Sequence, residues 1–337
     1  MIRRLICALG LVLAASAAEA RPSVAILADP KGVETTDLLA PYAILAESGA
    51  VEVTVVSSSL EPAPLMPGVA RVQPQATWAS YDRAHPGGPD MVIVPFMMSK
   101  DPQRAAWLRD KARQGARIVS ICDGALILGD AGLLDGRQAT AHWASRGQRL
   151  RRFPQVTWRT DARWVTDGPI TTTAGVSASV PAALHLLREL AGEGAMVSTA
   201  ARLGLAVEGP RHDAGRYRFD RPAVTVGLAN LLTPWRRQTI AIPLTPGFDA
   251  LAAGFELDAW SRTFRSKAYA VTPAGGVVSR HGLRILGRER APASARQVKL
   301  EANDLPTVFA EIGRAYGAPT ARLVALQLEH PTGVSQP

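Results

Sequence analysis

Ile118-Val119-Ser120-Ile121-Cys122-Asp123-Gly124-Ala125 is the stretch that decides the fold. An apolar, β-branched run breaks at one polar residue into small residues. The next stretch, Leu126 to Leu134, reads as a helix closing on Ala131-Gly132-Leu133-Leu134. A strand that turns sharply into a helix at a single polar residue has the geometry of a nucleophile elbow. Such a turn lifts the side chain above the sheet. The helix N-terminus then directs N–H groups and its positive dipole end at the sulfur. Both effects favour thiolate over thiol. A buried structural cysteine, packing as a small hydrophobe, fits the same local pattern.

The N-terminus bears on that choice. Met1-Ile2-Arg3-Arg4 is basic, Leu5 to Ala17 is apolar, and Ala18-Glu19-Ala20 is a small-x-small cleavage site. A secretory signal peptide is expected over 1–20, with the mature chain starting at Arg21-Pro22. The apolar run falls short of the roughly 20 residues of a comfortable span. No stable membrane span is therefore expected after cleavage, although an uncleaved anchor is an alternative. Cys7 would leave with the signal, so Cys122 is the only cysteine of the expected mature chain. No intramolecular disulfide can then form. A periplasmic or secreted location makes a lone, unused thiol a hazard, which favours a functional Cys122. The net charge of +9 suits anionic small molecules, lipid headgroups or nucleic acid. A high-GC genome that spells its basic residues as arginine is the favoured account, and export argues against a nucleic-acid partner.

Between Ser23 and about Leu205, strands and helices alternate. Val24 to Leu27, Val51 to Val56, Met91 to Val94 and Ala116 to Ile121 read as buried strands, and Ile170 to Thr173 as a shorter one. Thr36–Ser48, Gln103–Gln114 and Ser179–Ala191 read as helices. The pattern predicts an α/β fold, a flavodoxin-like, mostly parallel sheet with helices on both faces. Sites in such sheets lie beyond the carboxyl ends of the strands, where Cys122 falls. Residues 207–238, rich in Arg, Gly and Pro, read as a connecting segment. Residues 239–337 read as a smaller, partial, non-catalytic repeat of the same βαβ unit. Its elements are a strand over Thr239 to Leu244, a helix over Phe248 to Phe264, a strand over Lys267 to Thr272, a helix over Leu305 to Tyr316 and a strand over Arg322 to Leu328. The observation behind the repeat is the match of Ile26–Glu34 to Ile242–Asp249 with one gap. Two unrelated βαβ starts would also look alike.

With the elbow placed, residues 21–206 resemble the ThiJ/PfpI superfamily, whose fold is that of class I glutamine amidotransferases. The strongest block is Ser120-Ile121-Cys122-Asp123-Gly124-Ala125 followed by Ala131 to Trp143, and a second runs through Trp164 to Gly168, Thr173 to Ala178 and Leu184 to Leu187. The resemblance is closest to isocyanide hydratases and to the ligand-binding halves of AraC-type regulators. It implies Cys122 as the elbow cysteine and Asp37 as an acid beside its sulfur. By itself Asp37 reads as a helix first-turn acid. His142 falls where some members place a site histidine, and equally suits a turn beside Trp143. Asp123, Gly124, Phe96 and Met97 would line the pocket or supply N–H groups to a developing oxyanion.

The sequence also departs from family patterns. Asp123 stands where peptidase-like members have His after the cysteine. Pro95-Phe96-Met97-Met98 replaces a Pro-Gly-Gly loop, and the acid expected in the last helix is missing near Val180-Pro181. Asp82, His85 and His281 lack metal-ligand spacing. Neither metal nor cofactor is expected. The implied partner is a small-molecule substrate or ligand, with a homodimer or an internal pseudo-dimer as the assembly. Two functions follow as expectations. One is a cysteine-dependent hydratase, lyase or hydrolase acting on a small electrophile. The other is a non-enzymatic redox sensor or ligand-binding module.

Overall fold

A computed structural model describes residues 20–300 and 303–333. The expected signal segment, Ala20 apart, and Cys7 lie outside the described residues. The central sheet has seven strands. In spatial order they are Trp164–Asp167, Ile170–Thr173, Arg117–Ser120, Met91–Val94, Ser23–Leu27, Glu52–Ser57 and Ala76–Thr77. All pair in parallel except the edge strand Trp164–Asp167. Ser23–Leu27 and Met91–Val94 are buried at every residue. That is the environment of a strand covered on both faces, and it explains their unbroken apolar sequence. Thr35–Glu47 packs against Ser179–Leu203, and Pro102–Arg113 against Gly124–Asp130, as the helical layers. The α/β, flavodoxin-like expectation holds.

The second half repeats the opening move. Strand Gln238–Pro243, helix Ala250–Ser261 and strand Ser266–Val271 form a parallel strand-helix-strand unit, and Arg296–Gln297 pairs on the other side. The cap residues correspond as well. Glu34 accepts the Asp37 N–H at 2.6 Å, and Asp249 accepts the Leu251 N–H at 2.8 Å. Almost the whole Ala250–Ser261 helix is buried, because its outer side lies against Thr35–Glu47. A side chain at Gly254 would meet Leu39 Cβ at 3.2 Å, so glycine permits that close approach. A further sheet is shared by the two halves: Arg284–Leu286 pairs antiparallel with Ala70–Val72.

Two expectations need correction. Residues 207–238 are not only a connection, since they contain the helix Arg221–Leu231. Asp220 caps it and Pro222 sits in its first turn, where proline starts a helix rather than breaking one. The stretch Arg322 to Leu328 is not a strand. It belongs to the helix Ala318–Gln327, entered through Gly317 and Pro319. Its apolar run reads as a strand in isolation, but Leu323 to Leu326 are buried in succession as part of a helix packed against the helices Leu305–Tyr316 and Arg221–Leu231.

Candidate active site

Cys122 stands in the turn between Arg117–Ser120 and Gly124–Asp130, with φ at +56°. A non-glycine residue in that region carries strain that the surroundings must hold. They do so tightly. The Cys122 N–H reaches Ala174 O at 3.2 Å and Thr173 Oγ1 at 3.4 Å. Gly124 is required by space, because a Cβ there would lie 2.1 Å from Val94 O. The sulfur is nearly enclosed; Cys122 is 6% exposed.

Burial pushes the Cys122 thiol up from its usual range. The carboxylates of Asp37, Asp123 and Glu34 push it the same way, while a hydrogen bond from the Asp123 N–H opposes them. The resting sulfur is therefore a thiol, against the thiolate expected from the helix end alone. The dipole of a seven-residue helix is outweighed by desolvation and three acidic neighbours.

Asp37 is fully buried in the first turn of Thr35–Glu47. Its Oδ2 accepts the Phe96 N–H at 3.2 Å, and its Oδ1 has no hydrogen-bond partner. Desolvation raises its carboxyl to about 7, against the Phe96 and Glu34 hydrogen bonds. Cys122 Sγ, an Asp123 carboxylate oxygen and a His142 ring nitrogen lie within 4.8 Å of one another. His142 is anchored through Nε2 to Gln327 O at 3.0 Å, and its Nδ1 accepts the Ala144 N–H at 3.3 Å. These contacts fit the Nε2–H tautomer. A metal ion on this donor set would have to displace one of them.

The expected oxyanion donors are mostly committed elsewhere. The Phe96 N–H serves Asp37, and the Gly124 N–H closes the turn on Ile121 O at 2.9 Å. Met97 is buried, with its sulfur 3.8 Å from Arg104 Nη1. The Asp123 N–H is the amide directed at the sulfur.

Sequence reasoning missed the residues that hold this site from the second half. Arg262 bridges Glu34 Oε1 at 2.8 Å and Asp258 Oδ1 at 2.6 Å, and Thr36 Oγ1 donates to Asp258 at 2.8 Å. Glu329 is buried at φ +56°. It accepts N–H groups from Gly175 at 2.7 Å and Trp143 at 3.2 Å, and it pairs with His212 at 2.7 Å. Within the first half, Arg149 is buried and donates to His142 O at 2.5 Å. Only the suspected repeat hinted that the second half mattered, and it named no residue.

A model of the DJ-1/PfpI family matches residues 22–189. Isonitrile hydratase of Pseudomonas putida is 33% identical over 192 residues, which span 54% of this chain and 78% of that protein. The HTH-type transcriptional regulator CdhR of Pseudomonas aeruginosa is 33% identical over 129 residues, 38% of this chain and 37% of the regulator. The crystal structure of Drosophila melanogaster DJ-1beta matches with a TM-score of 0.50 at 22% identity, over 56% of this chain and 100% of that one. At that identity the likeness speaks for the fold alone.

Proposed function

The chain belongs to the DJ-1/PfpI family, and on that premise we propose that it is an exported, cysteine-dependent hydratase acting on a small electrophilic carbon such as that of an isocyanide. One observation carries the reading. A carboxyl raised to about 7 with one oxygen unpartnered, Asp37, stands within electrostatic reach of a thiol held at φ +56°. That pairing suits proton transfer near neutral pH. Cys122 gives its proton to the Asp37 carboxylate as the S–C bond forms on the terminal isocyanide carbon. Asp37 returns the proton to that carbon, leaving a thioimidate. Water then adds to the same carbon, the C–S bond breaks, sulfur regains a proton and an N-substituted formamide departs. The Asp123 N–H steadies charge at sulfur. The enclosed sulfur favours a small, slender substrate. Likeness to isonitrile hydratase supports the substrate class, and Met1 to Ala20 supports export.

The test is turnover on isocyanides and 2-oxoaldehydes, with Cys122→Ala alongside. Equal rates for the two proteins would end the proposal. N-terminal sequencing of exported protein checks cleavage after Ala20.

A second reading, a module that binds a small ligand without chemistry, is favoured by the raised thiol. Saturable isocyanide binding that survives in Cys122→Ala, with no turnover in either protein, would select it. The redox form of that reading is weakened by the same enclosure, since oxidation to sulfinate runs through thiolate.

A further inference from the structure

The helix Arg221–Leu231 turns Ala223, Val226, Gly227 and Asn230 inward and most of its large apolar residues outward. Ala223 packs with Tyr217, Leu323 and Leu326. Gly227 lies close to Phe264 and Leu323. The Asn230 amide donates to Thr263 O at 3.0 Å and Thr320 Oγ1 at 3.2 Å. Val224, Leu228, Leu231, Leu232 and, just past the helix, Trp235 are between 45% and 77% exposed. Their spacing of i, i+4, i+7, i+8 and i+11 places them along one stripe. Exposed apolar side chains scattered singly are ordinary, but a continuous stripe marks an interaction surface.

The charge around the stripe says what it meets. Residues 211–237 hold six arginines against Asp213 and Asp220. Asp220 is itself paired with Arg322 at 2.7 Å. Arg218, Arg221, Arg236 and Arg237 are exposed beside the stripe. At its end, Leu231 and Phe264 border a depression of about 380 Å³ that they share with Arg237 and Lys267, and no acidic residue lines it. A second copy docked by a two-fold axis would set arginines against arginines. An anionic surface would not. An exposed apolar stripe flanked by arginines has the geometry of a helix that lies on a bilayer surface.

We propose that this stripe docks the protein on anionic phospholipid. Leu228, Leu232 and Trp235 enter the headgroup boundary, while Arg236, Arg237 and Lys267 meet lipid phosphates. The experiment is co-sedimentation of the full chain with vesicles of phosphatidylcholine alone or enriched in phosphatidylglycerol. The expected result is preferential binding to the anionic vesicles that weakens as salt is raised. Leu228→Ser with Leu232→Ser, Trp235→Ala, and Arg236→Glu with Arg237→Glu are each expected to lower partitioning, the charge reversal by about tenfold or more. These side chains are exposed, so an unchanged melting temperature and circular dichroism spectrum are expected for every variant. Equal binding by wild type and all variants would overturn the proposal, because adsorption would then run through another segment. So would absence of binding to anionic vesicles. A concentration-dependent dimer that the Leu228→Ser, Leu232→Ser variant abolishes, without vesicle binding, would assign the stripe to a second copy instead.

Discussion

Cys122 and Asp37 were both legible as residues, but their protonation states were not. A helix end and a sharp turn argue for thiolate. Burial and the carboxylates of Asp37, Glu34 and the adjoining Asp123 reverse that. Alkylation of the folded protein by iodoacetamide is therefore expected to rise with pH through a midpoint above that of free cysteine, roughly 8.5. A midpoint below it would show that the helix end outweighs the carboxylates. Asp37 carries the opposite side of the exchange. Its carboxyl stands at 3.8 when solvated and about 7 in the fold. Its contribution to stability is present in full below the lower value and is lost as pH rises through the higher one. Asp37→Asn removes the buried charge, so at pH 8 this variant should melt above wild type, with the gap closing toward pH 4. It should also lose turnover by about 100-fold or more. Thermal melts at both pH values together with rate measurements check the pair of outcomes. An Asn variant less stable at pH 8 would contradict the raised carboxyl.

At the scale of elements, the strand-turn-helix around Cys122 was readable because each piece is local. A β-branched run makes a strand, and small residues make the turn. Gly124 shows why the turn admits so little change. Its would-be Cβ meets a carbonyl of Met91–Val94, a fully buried strand that cannot shift. Gly124→Ala should cost about 3 kcal/mol, measured by denaturant unfolding, and should lower Cys122 reactivity if the turn opens. Full stability in that variant would mean the strand gives way. Two helices were misread for identifiable reasons. Arg221–Leu231 lies in a stretch rich in Arg, Gly and Pro that reads as a connection, although Asp220 and Pro222 start a helix there and its large apolar residues stay exposed. In Ala318–Gln327, a continuously buried apolar run has strand-like composition, but neighbouring helices and not a sheet receive it.

At the scale of the whole molecule, the second half behaves as a built-in partner of the first. It shares a sheet with it, buries Ala250–Ser261 against Thr35–Glu47, and supplies Arg262 and Glu329 to the walls of the site. Arg262→Leu would leave Glu34 and Asp258 buried without their cation, and should destabilise the fold by about 3–5 kcal/mol. Chemical unfolding of that variant beside wild type measures it. We propose that the internal repeat serves this pairing. A fragment covering Arg21 to Gly209 should accordingly aggregate, because the face that covers Thr35–Glu47 would be missing; a soluble monomeric fragment would make the second half an independent appendage. The sequence by itself determined the α/β class, the family, the cysteine in a strand-to-helix turn and the alternation that places it at a strand end. These follow from periodicity and short motifs, in which neighbouring residues determine one another's backbone. Tertiary structure alone decided the state of the thiol, the loss of the Phe96 and Gly124 amides to other partners, and the clamps of Arg262 and Glu329. Burial and ion pairing depend on groups brought together from positions such as Glu34 and Arg262, 228 residues apart in the chain, and no local pattern encodes that meeting.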